Sequence, residues 1–316
     1  MKESLFPGPG RRIGLGEKPC FYREREKACL AFLTMLFFLA RLLVSFSSMN
    51  SITKGRIAET FSELSRNSQK AFIPFLMAGD PSPELFLDLV EALDESGADL
   101  LEVGIPFSDP LADGPIIQQS AIRALKGGIN MEEVFSLLSQ IRQRSAIPVV
   151  LFSYLNPIFR YGIERFAHKA VESGADGVLI VDLPPEEVLE GMEVLEEKLD
   201  RVLLVTPSTS LERRRYIAGR SRGFLYCVSR YGITGPQKEI SKEAYELVKS
   251  VEPYKRVPLC VGFGVSTPEQ AKAISSYADG VVVGSALVGE VARIAEGKST
   301  VERFKDFAFS LAKSIH

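Results

Sequence analysis

Leu101-Glu-Val-Gly-Ile-Pro-Phe-Ser-Asp-Pro-Leu-Ala-Asp-Gly114 is the stretch whose reading decides the fold. An apolar run over residues 100–103 is interrupted only by Glu102. It breaks at Gly104 and Pro106 into a loop that carries Asp109 and Asp113. A lone Glu in a buried strand is costly unless it is paired or its pKa is raised. A second acid eleven residues on, in the loop leaving that strand, suits a parallel α/β enzyme that faces two acids across a pocket. Taken singly, Asp113 reads as a loop cap and Glu102 as a solvent-facing residue. The pair, in one segment punctuated by Gly and Pro, reads as an active site.

The pattern repeats on both sides of this stretch. Short apolar runs at 72–77, 100–103, 149–152, 177–181, 202–205, 224–228, 259–261 and 280–283 read as strands. Between and after them, amphipathic spacing predicts helices over 83–96, 131–144, 163–173, 185–198, 211–218, 241–251, 268–276, 288–295 and 301–314. Eight alternating units fit the (β/α)8 TIM barrel, whose usual length is about 250 residues. Residues 52–66 place Ile57, Ala58, Phe61 and Leu64 at helical spacing ahead of the first strand, so we expect an extra N-terminal helix closing the bottom of the barrel. A doubly wound sheet is the alternative. It would usually show GxGxxG after its first strand, whereas Ala78-Gly-Asp-Pro81 follows here. Pro74 counts against the first strand, because proline removes a ladder donor.

Composition narrows the chemistry. The chain of 316 residues is 46% hydrophobic and 25% charged, with a net charge of −2 and no basic block interleaved with aromatics, so no nucleic-acid partner is expected. Cys20, Cys29, Cys227 and Cys260 form no CxxC pair and no metal spacing, which fits a reducing, cytoplasmic setting. With only His168 and His316, a His-built metal site or a Ser-His-Asp triad lacks its residues, and no metal is expected.

Residues 1–48 differ from the rest. A mixed-charge start leads into a hydrophobic run over 28–48, broken by Arg41. Three readings apply: a membrane anchor, since about 20 apolar residues span a bilayer; a secretory signal, which lacks a clean small-x-small cleavage pattern; or translation that begins at Met49. The Lys and Arg excess before the run would put the domain outside the cytoplasm, and nothing downstream looks extracellular. We therefore expect an N-terminal extension over 1–48 that is not part of the native domain, with the anchor as the alternative, and a single catalytic domain over 49–316.

In a barrel the site lies where strands end. The third strand ends in Phe152-Ser-Tyr-Leu-Asn-Pro157, the fourth at Asp182, the sixth with Tyr226 and then Ser229-Arg-Tyr-Gly-Ile-Thr-Gly235, the seventh at Gly262-Phe-Gly264 and the eighth at Gly284-Ser285. Glycines there let backbone N–H groups approach an anion, and Gly284-Ser285 opens a helix, so we expect a phosphate held by amides, Ser285 and the helix dipole, with Gly235 able to add an amide. No lysine falls at a strand end, which disfavours a Schiff-base aldolase. What remains is carboxylate acid/base chemistry on a phosphorylated substrate with an uncharged ring. Phe75, Phe152, Tyr154 and Tyr226 are candidates to line an apolar slot, although Phe75 and Phe152 taken alone read as core.

From Met49 onward the chain resembles the tryptophan synthase alpha chain family. LEVGIPFSDPLADG fits that family's signature at every position, and Gly79-Asp-Pro81, Asn156-Pro157, Val181-Asp-Leu-Pro184, Ser229–Gly235, Gly262-Phe-Gly264 and Gly284-Ser285 support it. Residues 1–48 have no counterpart, and without them the chain has the family's usual size. The resemblance implies a lyase that cleaves indole-3-glycerol phosphate to indole and glyceraldehyde 3-phosphate by a retro-aldol step. It implies Glu102 as general acid/base, Asp113 on the indole N–H, and Tyr226 and Thr234 in support. Phe75, Phe152 and Tyr154 would line the indole pocket, and Gly235, Gly264, Gly284 and Ser285 would hold the phosphate. It also implies no cofactor in this chain and a beta-chain partner that carries pyridoxal phosphate in an alpha2beta2 complex. Loops around Pro110 and Gly232 would make the contact. Two other readings are an isomerase or synthase on the same barrel and a non-catalytic activator of the beta chain.

Overall fold

The computed structural model describes residues 55–228, 242–262 and 264–316. Eight parallel strands close in chain order: β1 (Ala71–Met77), β2 (Leu101–Gly104), β3 (Val149–Ser153), β4 (Gly177–Ile180), β5 (Asp200–Val205), β6 (Leu225–Val228), β7 (Leu259–Gly262) and β8 (Gly280–Val283), with β8 pairing back onto β1. Both faces of such a barrel are covered, which is why its strands read as unbroken apolar runs rather than as alternating ones. All eight expected strands are present. Pro74 is accommodated because it forms the last rung between β1 and β8, opposite Val283; from Phe75 onward β1 pairs with β2. The missing donor therefore falls where the ladder changes partner.

The core has two parts. Inside the barrel, Ile73, Leu100, Val150, Leu179, Val202, Phe224, Cys260 and Val282 pack with Ile57, Phe61 and Leu64. The last three belong to helix α1 (Arg56–Arg66), which closes the bottom as expected. A Cβ on Gly177, at the foot of β4, would lie 3.1 Å from Ile57 Cδ1, so the missing side chain there makes room for the plug. Arg56 ties the plug down, donating to Asp176 Oδ1 at 2.6 Å and to the Gly174 carbonyl at 3.0 Å. Outside the barrel, the remaining helices bury Phe86, Phe166 and Phe304 against the strands.

The helical expectations hold with three differences. The segment expected to be helical over 185–198 forms a helix only at Met192–Lys198, which starts after Gly191 in a left-handed conformation (φ +85°). Two helices had no expectation. Pro115–Lys126, which we call αL2, buries Ile117, Ser120, Ala121 and Ala124, a face too small and polar to stand out as a hydrophobic stripe. Leu155–Tyr161 has Pro157 in its first turn, where proline is tolerated but looks like a breaker.

Candidate active site

At the C-terminal mouth of the barrel a pocket is lined by Phe75, Glu102, Asp113, Ile117, Phe152, Tyr226, Gly264, Val282, Gly284 and Ser285. Most of the residues singled out from sequence therefore converge on one cavity.

Glu102 sits on β2 with Phe75 of β1 and Val150 of β3 as its rung partners. Paired residues of a parallel ladder point to the same face, so the carboxyl enters the barrel between an aromatic and an aliphatic wall. It is 1% exposed, and its Oε1 has no hydrogen-bond partner among the described residues. Burial pushes its pKa up to about 8, so an empty site at neutral pH holds mostly the protonated acid.

Asp113 reaches the pocket from the loop leaving β2 and is 5% exposed. Burial pushes its carboxyl up to about 6, while a hydrogen bond from Tyr154 pulls the other way. It sits just before the N-terminus of αL2, and Gln118 in the first turn of that helix donates to the Asp113 carbonyl at 2.8 Å. The helix is pinned at its other end. Arg123 forms two hydrogen bonds with buried Asp80 (2.8 and 2.7 Å), and Ser120 donates to the same carboxylate. The Gly79-Asp-Pro81 turn after β1 thus anchors the element that follows Asp113.

Phe75 and Phe152 meet edge to face, with centroids 5.4 Å apart, and form one wall of the cavity. Phe75 can lean toward β3 only because β2 has glycine at 104: a Cβ there would lie 2.6 Å from Phe75 Cζ and 3.1 Å from Met77 Sδ. Tyr226 closes the floor. Burial and the nearby carboxyls of Glu102 and Asp113 raise its pKa, so it remains a neutral phenol. Its ring lies over Gly262, where no side chain fits.

Tyr154 reaches the site differently from the slot-lining role expected of it. Its ring packs against Phe107, with centroids 5.5 Å apart, and its hydroxyl serves the loop of Asp113 rather than a wall for a flat ring. Asp182 accepts from the Leu155 N–H at 2.7 Å and caps the short helix there. Gly284 is the N-cap of the helix Ser285–Ala295, and with Ser285 and Gly264 (φ +83°) it borders the pocket where an anion would meet the N-terminal end of that helix. Thr234 and Gly235 lie outside the described residues, as does Tyr231. Among the described residues no cluster of His, Cys, Asp or Glu has the makings of a metal site.

A family model described as "Tryptophan synthase alpha chain" matches residues 61–316. The chain belongs to the tryptophan synthase alpha chain family. It is similar to the tryptophan synthase alpha chain of Geotalea uraniireducens, 47% identical over 234 residues that cover 74% of this chain and 88% of the relative. Among solved structures it is similar to tryptophan synthase subunit alpha from Legionella pneumophila, with 39% identity, a TM-score of 0.76, and coverage of 83% of this chain and 99% of the other. It is also similar to a chain in a structure of Mycobacterium tuberculosis tryptophan synthase, with 35% identity, a TM-score of 0.77, and coverage of 83% and 99%.

Members of the tryptophan synthase alpha chain family are lyases of tryptophan biosynthesis, and this chain shares their reaction: retro-aldol cleavage of indole-3-glycerol phosphate to indole and glyceraldehyde 3-phosphate. Two residues of the pocket escaped the sequence reading. Val282 points inward from β8, and its strand position was the only signal for it. Ile117 comes from αL2, and the Pro115 that opens that helix was the available sign.

Proposed function

We propose that Glu102 and Asp113 divide the acid and base work of this cleavage. The observation that carries the assignment is that two buried carboxyls line one pocket from different segments, Glu102 from β2 with its Oε1 unpartnered among the described residues and Asp113 from the loop after it; burial raises both, Glu102 further than Asp113. Breaking the bond between indole C3 and the glycerol chain requires a proton at C3 and loss of the proton on the C3′ hydroxyl. Protonated Glu102 gives its proton to C3. As a carboxylate it then takes the hydroxyl proton while the C–C bond opens to the aldehyde, so protons balance over the cycle. Asp113, ionised at neutral pH, accepts the indole N–H and stabilises the positive charge that protonation at C3 places on the ring.

Phe75 and Phe152 hold the ring and Tyr226 supports the two acids. Gly264, Gly284 and Ser285 hold the phosphate, joined by Gly235 from the segment that follows β6 in the sequence. Thr234 closes over bound substrate and orders Asp113, and closure excludes water. The chain works without a cofactor of its own. Its partner is a beta chain carrying pyridoxal phosphate in a cytoplasmic alpha2beta2 complex, which receives the indole. The catalytic domain begins at Met49.

The test is indole release from indole-3-glycerol phosphate by the Met49–His316 chain, with and without a beta chain, beside Glu102→Gln. Cleavage that rises with the beta chain and is lost in the variant supports the assignment. Beta-chain stimulation without cleavage would reassign the barrel to a regulatory role.

A further inference from the structure

We propose that Tyr154 is a positioning residue that holds the Asp113 carboxylate in the pocket before substrate arrives. The proposal rests on the reading of Asp113 as the group that meets the indole N–H. Tyr154 is 5% exposed and stands at the end of β3, while Asp113 stands on a loop after β2. The Tyr154 hydroxyl accepts from the Ala112 N–H at 3.0 Å, one residue before Asp113, and it acts on the Asp113 side chain in the sense that lowers its pKa. One phenol therefore holds the backbone of the loop and bears on its carboxyl. At the other side of Asp113, Gln118 holds the carbonyl. Among the described residues these two contacts hold the loop from either side of Asp113, and the one on Tyr154 bears on the reactive group.

Tyr154 is itself held. Ser153 Oγ donates to the Tyr154 carbonyl at 3.0 Å, and the Leu155 N–H donates to Asp182 Oδ1 at 2.7 Å. The ring is braced by Phe107. Burial and the carboxylates of Asp113 and Asp182 keep the phenol protonated, so the oxygen that accepts from Ala112 still carries a proton to donate to Asp113. A hydrogen bond donated to a carboxylate favours its charged form, and a phenol already in place costs no reorganisation when charge develops on the ring. Among the described residues the titratable groups facing Asp113 are Glu102 from β2, Tyr226 from β6 and Tyr154 itself, with Asp182 behind Tyr154. Glu102 and Tyr226 bring no positive charge. Tyr154 is the one of these that favours the ionised form of Asp113.

The test compares the wild-type chain, Tyr154→Phe and Asp113→Asn, with the beta chain present. Removing the phenol oxygen should move the acid limb of the cleavage profile up by about half to one pH unit. It should lower kcat near pH 6 by about two- to fivefold while KM changes less than about threefold. The Asp113 carboxyl, followed by carbon NMR without substrate, should titrate higher by the same interval. An independent reading needs no change at Tyr154: its ring signal in the wild-type chain should step with the Asp113 titration, and the step should vanish in Asp113→Asn. A folded Tyr154→Phe chain with an unmoved limb and an unmoved Asp113 titration would overturn the proposal, as would a wild-type tyrosine signal that ignores Asp113. Wild-type cleavage and profile in Asp113→Asn would instead remove the reading of Asp113 on which the proposal stands.

Discussion

Phe75 and Glu102 are partners on one rung of the β1–β2 ladder, so a phenyl ring and a carboxyl enter the barrel side by side. That pairing gives Glu102 an apolar neighbour and little water, and it sets the sign of a stability effect. A carboxyl whose pKa is raised on folding contributes most below its ordinary value of 4.5, and the contribution is lost as pH rises through about 8. Asp113 acts in the same sense between 3.8 and about 6. The wild-type chain should therefore lose stability as pH climbs from 4 toward 8, and Glu102→Gln should lose much less. At pH 9 the variant should be more stable by on the order of 2 kcal/mol. Urea unfolding at pH 5 and pH 9 reads the difference, and a flat wild-type profile would contradict it.

The same ring depends on Gly104. A methyl at that position would meet Phe75 Cζ at 2.6 Å, and the ring has Phe152 on its other side. Gly104→Ala should cost about 1–3 kcal/mol through overpacking. It should also lower kcat/KM by pushing Phe75 into the substrate space. Adding Phe75→Leu should recover part of the stability, which thermal melting of the single and double variants would reveal.

The pair Asp80–Arg123 predicts a different asymmetry. Asp80 is 2% exposed, and Arg123 covers it from αL2. Arg123→Met leaves a buried carboxylate without its partner and should cost about 3–5 kcal/mol. Asp80→Asn combined with Arg123→Met should cost less than Arg123→Met alone, because no charge is stranded. Denaturant midpoints of the three variants give the comparison. Equal losses would mean that the helix is held by its apolar face.

His316 Nε2 lies 2.9 Å from Asp99 Oδ2, the oxygen that also accepts from the Phe72 N–H at 2.7 Å. The hydrogen bond and charge of Asp99 raise the imidazole pKa above its ordinary value. The charged pair therefore stabilises the fold below about pH 6.5, and the contribution fades as pH rises through the raised value. His316→Ala should lower the melting temperature at pH 5.5 and leave it nearly unchanged at pH 9. An equal loss at both pH values would assign the effect to packing.

For the start of the domain, the proposed Met49 boundary leaves residues 1–48 outside the catalytic domain. N-terminal peptide mapping of the native protein should find Met49 as the first residue. Peptides from upstream of it would restore the anchor reading and call for membrane fractionation.

The alternation of apolar runs and helices, the plug before β1 and the pair Glu102 and Asp113 could all be read from the amino-acid sequence. Strands buried on both faces need continuous apolar residues, and a barrel presents its chemistry at their ends, so local pattern and position along the chain carry that information. Other features arise only when distant segments meet. The Tyr154 hydroxyl bonds a residue 42 positions away, and Arg123 bonds one 43 positions away. A tyrosine among aromatics looks like part of a slot until its hydroxyl finds Asp113. A helix with an Ala and Ser face looks like loop until Asp80 and β1 cover it. The sequence by itself determined which residues could do the chemistry. The closed barrel decided which of them carry charge and which hold the others in place, because burial and hydrogen bonding exist only once strands far apart in the chain share a pocket.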